Sequence, residues 1–174
     1  MRFYIDHQPV YLDNPISTGK HRYSIKAIVV CDHAHRVRAA SVGYWGSIHD
    51  SMCFQETPIN CFPERYFNEQ ECLLGDSMFK RSRHLMTPAV RSGGLRASER
   101  FVNEWLSSAL SPIRNVFGLI KQRWRGVDPL KVRPLELQVA FARCAIILHN
   151  VCLQFDDDPL RAQTEPFSTS NNPK

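Results

Sequence analysis

Three aspartates sit where packing alone does not call for them. Asp6 interrupts the aromatic and β-branched run RFYIDHQPVYL, Asp50 follows His49 in GSIHDSMCF, and Asp76 ends the apolar stretch ECLLGD at a glycine. Hard divalent cations such as Mg²⁺ or Mn²⁺ take oxygen ligands, so carboxylates at the ends of neighbouring strands are able to share one. A pair of such ions activates water and stabilises the leaving oxygen in phosphodiester cleavage. Each aspartate also has a simpler local role open to it. Asp6 ends a strand, Asp50 caps a helix opening at Ser51, and Asp76 makes a turn.

Other side chains are of the right type for chemistry but sit in plainer contexts. His33 and His35 lie near Cys31, yet HAH reads more simply as the polar tip of a hairpin. The segment SSALSPIRNVFGLIKQRWR, Ser107 to Arg125, carries four basic side chains and no acid. Lys121, Arg123 and Arg125 suit phosphate contacts, and a basic helix end is equally favoured by the helix dipole. His149 and Asn150 read as a satisfied pair in a core helix. The six cysteines form no C-x-x-C pair and sit mostly among apolar neighbours, the pattern of buried free thiols in a reducing compartment. No apolar run follows Met1, which argues against a secretory signal.

The elements that must position these residues follow from pattern. YSIKAIVVCD and RVRAASVGYW flank the HAH turn as the arms of a hairpin, and RFYIDHQPVYL ahead of Asn14-Pro15 adds a further strand. A short helix follows, broken by Pro58 and Pro63; then ECLLGDSMF gives a short strand, and the chain is basic and irregular as far as Gly94. A helix opening near Ser98 runs through ERFVNEWLSSAL, and Pro112 kinks or restarts it. Beyond that point Ile113, Val116, Phe117, Ile120 and Trp124 share one face, with Arg114, Gly118, Lys121 and Arg125 in the adjacent stripe. After Pro134 the apolar segment Leu135 to Phe155, interrupted by Glu136, Gln138, Arg143, His149 and Asn150, reads as a core helix, not a membrane span. Three strands, a helix, a strand and then helices make a mixed α/β sheet covered by helices.

With 43% hydrophobic residues in 174, the chain has material for one core. That predicts a single domain over residues 1–155 and a polar, Pro/Ser/Asn-rich disordered tail over 156–174. The net charge of +5 makes a polyanion such as nucleic acid a natural partner, although charge alone is non-specific.

The joint pattern is far more specific than any part. GSIHDSMCF, LLGDSMF, TPAV, FVNEWLSSAL, VFGLIKQRWR and ILHNVC occur in this order. Together they resemble the DDE superfamily endonuclease domain of PIF/Harbinger transposases and their domesticated nuclease relatives, from about Ile5 to Cys152. The resemblance implies a ribonuclease H-like mixed sheet flanked by helices, a divalent cofactor (Mg or Mn), DNA as substrate, and a nuclear location, with the cytoplasm as a second one. By the family's motifs Asp6, in IDHQPV, and Asp76, in G-D-S, match catalytic carboxylates, and Asp50, in H-D-S, matches a further acidic position. Asp6, Asp50 and Asp76 are then the metal ligands.

The departures from the family pattern are as specific as the match. His7 and Pro9 replace the usual glycine and histidine beside Asp6. The third carboxylate of the family, a glutamate, falls on Arg114, and Leu110 stands where an arginine is usual. Glu104 lies ten positions upstream, about 15 Å along a continuous helix, and Glu99 is further still, so neither replaces it. A guanidinium pairs with carboxylates through a planar fork. Arg114 is therefore expected to reach Asp6 or Asp76, take the charge role of a metal and weaken two-metal catalysis. Arg114, Lys121 and Arg125 are the expected DNA contacts. The first strand starts within a few residues of Met1, so the helical DNA-binding region of relatives would come from a partner, as a Myb-like protein supplies it in the family. Two functions follow: a metal-dependent DNA endonuclease impaired at Arg114, or a non-catalytic DNA- or protein-binding remnant of a transposase.

Overall fold

The computed structural model describes residues 1–5, 17–18, 22–127, 129–132 and 134–155. Asp6, and the tail expected over 156–174, lie outside the described residues. The organising element is β3 (Arg22–Cys31), whose alternation sends Ile25, Ala27, Val29 and Cys31 to one face and Ile28 and Val30 to the other. Strand β1 (Arg2–Ile5) pairs antiparallel along one edge, from Ile5 opposite Tyr23 to Arg2 opposite Lys26. Along the other edge β4 (Val37–Trp45) pairs from Ile25 to Cys31, and the two-residue β2 (Ser17–Thr18) pairs with Arg22 and Tyr23.

The β3–β4 hairpin is the one read from the sequence, and HAH is its turn. Asp32 Oδ1 accepts from the main-chain nitrogens of Ala34 and Arg36, each at 3.0 Å, and His35 takes the left-handed conformation at φ 62°. A bulge between Lys26 and Ala27 leaves Gly43 at φ 118°, which an L side chain rarely adopts. At the end of β4, Gly46 donates to the Ser24 carbonyl at 2.8 Å, and a Cβ there would lie 2.0 Å from Ser24 Oγ.

Two apolar clusters cover the two faces. On the first, Ile25, Ala27 and Val42 meet Val116 and Ile120 of α4 (Ser111–Arg123) and Ala142, Ala145 and Ile146 of α5 (Leu135–Gln154). On the second, Ile28 meets Cys53 and Phe54 of α1 (Asp50–Gln55), Ile59 of α2 (Pro58–Cys61), and Leu85 of β6 (Leu85–Met86). Each such branched side chain, once buried, contributes about 1.5–3 kcal/mol. The last helix is tied to the hairpin. Asn150 accepts from Val37 N and donates to Val37 O, both at 2.8 Å, and His149 Nε2 lies 2.9 Å from His35 O.

Several expectations change. Strand β5 (Leu73–Leu74) pairs in parallel with β6, a strand the sequence did not announce, and the two form a sheet of their own beside the four-stranded antiparallel one. The architecture is therefore mixed α/β, in two sheets. α3 (Ala97–Ala109) and α4 are separate helices: Pro112, lacking an N–H, occupies the first turn of a new one. α5 is long and apolar enough to span a membrane, and buries Gln138, Ala142, Ala145, Ile146 and His149 in the core. It is not buried all round, since Leu137, Ile147 and Phe155 are exposed. All six cysteines are free, but only Cys53 is buried, while Cys61, Cys72 and Cys144 are exposed.

Candidate functional site

His49, not Asp50, caps α1: its Nδ1 accepts from Ser51 N at 3.2 Å. Asp50 is thereby the first residue inside the helix, and its carboxylate turns to the sheet. There Lys26, a lysine in an apolar strand, is 3% exposed and places Nζ 2.6 Å from Asp50 Oδ1. The same ammonium donates to the Ile48 carbonyl. A buried ammonium is costly unless it is paired and hydrogen-bonded, and both conditions are met here.

Asp76 follows β5 through the buried Gly75, which donates to Met86 O at 2.9 Å. Its Oδ1 accepts from Met78 N at 2.7 Å, the local turn that its sequence context offered. The loop beyond carries the exposed Lys80, Arg81 and Arg83, and Lys80 N donates to Ser51 Oγ at 3.3 Å, tying it to α1.

These pieces meet. Lys26, Asp50, Asp76, Phe79 and Arg114 line one cleft of about 180 Å³, between the sheet beside Met1 and the first turns of α4. Of the residues expected to act together, the structure brings Asp50, Asp76 and Arg114 into one place. Lys121 stands in the last turn of α4, about 10 Å along the axis from Arg114. Arg125 lies beyond the helix end, so the expected continuous basic stripe is broken there.

Arg114 does not do what the sequence suggested. Its Nη1 donates to the Ser107 carbonyl at 3.2 Å. The restart at Ser111 explains this, because the last carbonyls of α3 lose their helical donors and a side chain one turn into α4 satisfies one of them. Glu99 is also engaged: its carboxylate accepts from Arg96 N at 2.8 Å and pairs with Arg91 at 3.5 Å, closing the start of α3.

Among the described residues no group of three His, Cys, Asp or Glu side chains is placed to hold a metal ion. The cleft offers two carboxylates. One is bonded to an ammonium and the other lends an oxygen to its own turn. A hard dication at Asp50 would have to displace Lys26, with Arg114 on the same wall. The described donor set does not fit Mg²⁺ or Mn²⁺.

The residue that sequence reasoning missed is Lys26. Its signal was a charged residue within YSIKAIVVC, on the same face as the apolar Ile28 and Val30.

A family profile described as DDE superfamily endonuclease matches residues 13–150. Asp50, Asp76 and Arg114 fall within that segment and Asp6 before it. A Bos taurus protein named "Putative nuclease HARBI1" is 26% identical over 140 residues, which cover 78% of this chain and 39% of that protein. The chain thus spans well under half the length of this relative. No solved structure matches it.

Proposed function

Because the chain belongs to the DDE superfamily endonucleases, we propose that it is a transposase-derived, nuclease-like protein whose cleft holds DNA without the metal-dependent cleavage of an intact site. The observation that carries this reading is the bond between Lys26 Nζ and Asp50 Oδ1 at 2.6 Å. Where the family resemblance expects a divalent cation among Asp6, Asp50 and Asp76, this chain supplies a cation of its own. Arg114, at the position of the third carboxylate, adds a second positive charge to the same cleft.

Charge around the cleft supports the DNA part of the reading. Lys80, Arg81 and Arg83 follow Asp76 and are exposed, as are Arg114 and Arg125. Together with Lys121 these side chains suit a phosphate backbone, which binds through counterion release and not through base identity. Sequence choice then falls to a Myb-like partner, and the place of action is the nucleus. We read the fold as ribonuclease H-like and the domain as running to residue 155. What supports this is an antiparallel trio of β4, β3 and β1, a parallel β5–β6 pair, and α4 and α5 on one face.

The test is duplex binding and nicking by the purified protein. Binding should persist in EDTA and weaken with salt, with a log–log slope of about −0.9 for each phosphate neutralised. Mn²⁺-dependent nicking that Asp76→Asn abolishes, or binding that EDTA removes, would overturn the proposal.

A further inference from the structure

Next to the carboxylate cleft, beneath the corner between α3 and α4, runs a larger slot of about 510 Å³. None of Lys26, Asp50, Asp76 and Arg114 lines it, and no other lysine or arginine does. Its two long walls are strand edges. In β3, Ala27 N donates to Met1 O at 2.9 Å and Met1 N donates to Ala27 O at 2.8 Å, so the odd-numbered residues turn their backbone groups to the β1 side. The even-numbered ones turn to β4, a pattern that Asp32 N continues with Arg36 O at 3.0 Å. The pairing with β1 reaches no further along β3 than Met1 opposite Ala27. Val29 and Cys31 therefore direct their N–H and C=O groups into the slot.

The opposite wall behaves alike. Leu73 N donates to His84 O at 2.8 Å and Gly75 N to Met86 O at 2.9 Å, so Leu74, between them, turns its backbone groups away from β6 and toward the slot. Ile28, Phe54 and Leu85 form one apolar surface of the slot, and Leu110 and Ile113 form the other. An open strand edge is a template for another strand, and here two edges face one apolar space.

We propose that this slot is a receptor for a β-strand: an extended segment of a partner polypeptide, apolar on alternate residues, inserts between β3 and β5 and continues the antiparallel pairing that β1 begins. The stretch of β3 from Ile28 to Asp32 is matched by about five extended residues. Main-chain bonds to Val29, Cys31 and Leu74 supply affinity, and the apolar surfaces select alternate side chains, as in strand addition generally. A compact apolar ligand would leave the donors and acceptors of both walls unmet. The described strands of a second copy are already paired in its own sheets. Residues 156–174, with three prolines and no apolar alternation, make a poor strand. A partner chain remains, and the site is independent of the DNA reading because its lining carries no basic group.

The test uses the isotopically labelled protein and a blocked hexapeptide alternating valine and threonine, with amide exchange as the readout. At saturating peptide the Val29, Cys31 and Leu74 amides should exchange at least tenfold more slowly. A control hexapeptide with proline at alternate positions should have no effect. Leu110→Trp, which fills the slot, should abolish the response at an unchanged unfolding midpoint. Unchanged exchange at millimolar peptide, or equal protection by the proline control, would overturn the proposal. Protection that appears only when the hexapeptide is fused ahead of Met1 would also overturn it, assigning the slot to a covalently joined segment.

Discussion

Replacing Asp50 by alanine removes the partner of a buried ammonium, and the cost can be worked out from its surroundings. Lys26 is 3% exposed, whereas the Asp50 side chain is 29% exposed, so one half of the pair is dry and the other touches water. Removing one member of a buried pair costs about 3–5 kcal/mol. Here the Ile48 carbonyl still accepts from Nζ and water enters from the Asp50 side, so the loss should be about 2–3 kcal/mol. For a chain of this size that lowers the unfolding midpoint by roughly 4–10 °C. Lys26→Met keeps the packing of the stem and leaves a carboxylate that water reaches, at a cost of about 1 kcal/mol. The double variant should recover most of the Asp50→Ala loss, which gives a coupling of about 2 kcal/mol in a double-mutant cycle. Urea denaturation followed by tryptophan fluorescence measures all four proteins. A loss below about 1 kcal/mol for Asp50→Ala, or strictly additive losses, would refute the reasoning and free Asp50 to bind a cation.

Gly118 lies inside α4 with nothing within 4 Å of a Cβ, so Gly118→Ala should raise stability by about 0.5–1 kcal/mol, read as a higher urea midpoint. Gly46→Ala should do the opposite by about 1–3 kcal/mol. Adding Ser24→Ala should not rescue it, because the Ser24 carbonyl would still lie 2.7 Å from the new Cβ. Iodoacetamide at pH 8 should modify the exposed Cys61, Cys72 and Cys144 before Cys31 and Cys53, as peptide mass spectrometry would record. Burial, and then the Asp32 carboxylate, push the Cys31 thiol from near 9 up to about 11. The folded state thus favours the neutral thiol, and the stability this lends is complete below pH 9 and lost as pH rises towards 11. Cys31→Ser should flatten that alkaline limb in a pH series of melting curves.

Elements whose own periodicity declares them were legible in the sequence. YSIKAIVVCD and RVRAASVGYW alternate cleanly around a polar turn and become β3 and β4; the long apolar segment after Pro134 becomes α5. Strands β2 and β6 have two residues each, too few for any period, and β6 sits in a basic stretch that reads as loop. The motif order placed Asp50, Asp76 and Arg114 near one another, but not what each side chain holds. Lys26 meets Asp50 from 24 residues away, a distance at which no local pattern speaks. The direction of Arg114 depends on where the preceding helix stops, and only the packed corner reveals the carbonyl it satisfies. Asp6 lies outside the described residues, so its part in the site stays a proposal.

Asn150 behaves as an extra rung on the ladder of β4, bonded to both backbone groups of Val37 from 113 residues away. This has a consequence for synthesis. At about 5–20 residues per second, a ribosome needs roughly 6–20 s to make the chain between them. Until then the turn end of the hairpin lacks its final partner. A nascent chain stalled before residue 150 should therefore show the hairpin tip open to protease, and the tip should close once the amide arrives.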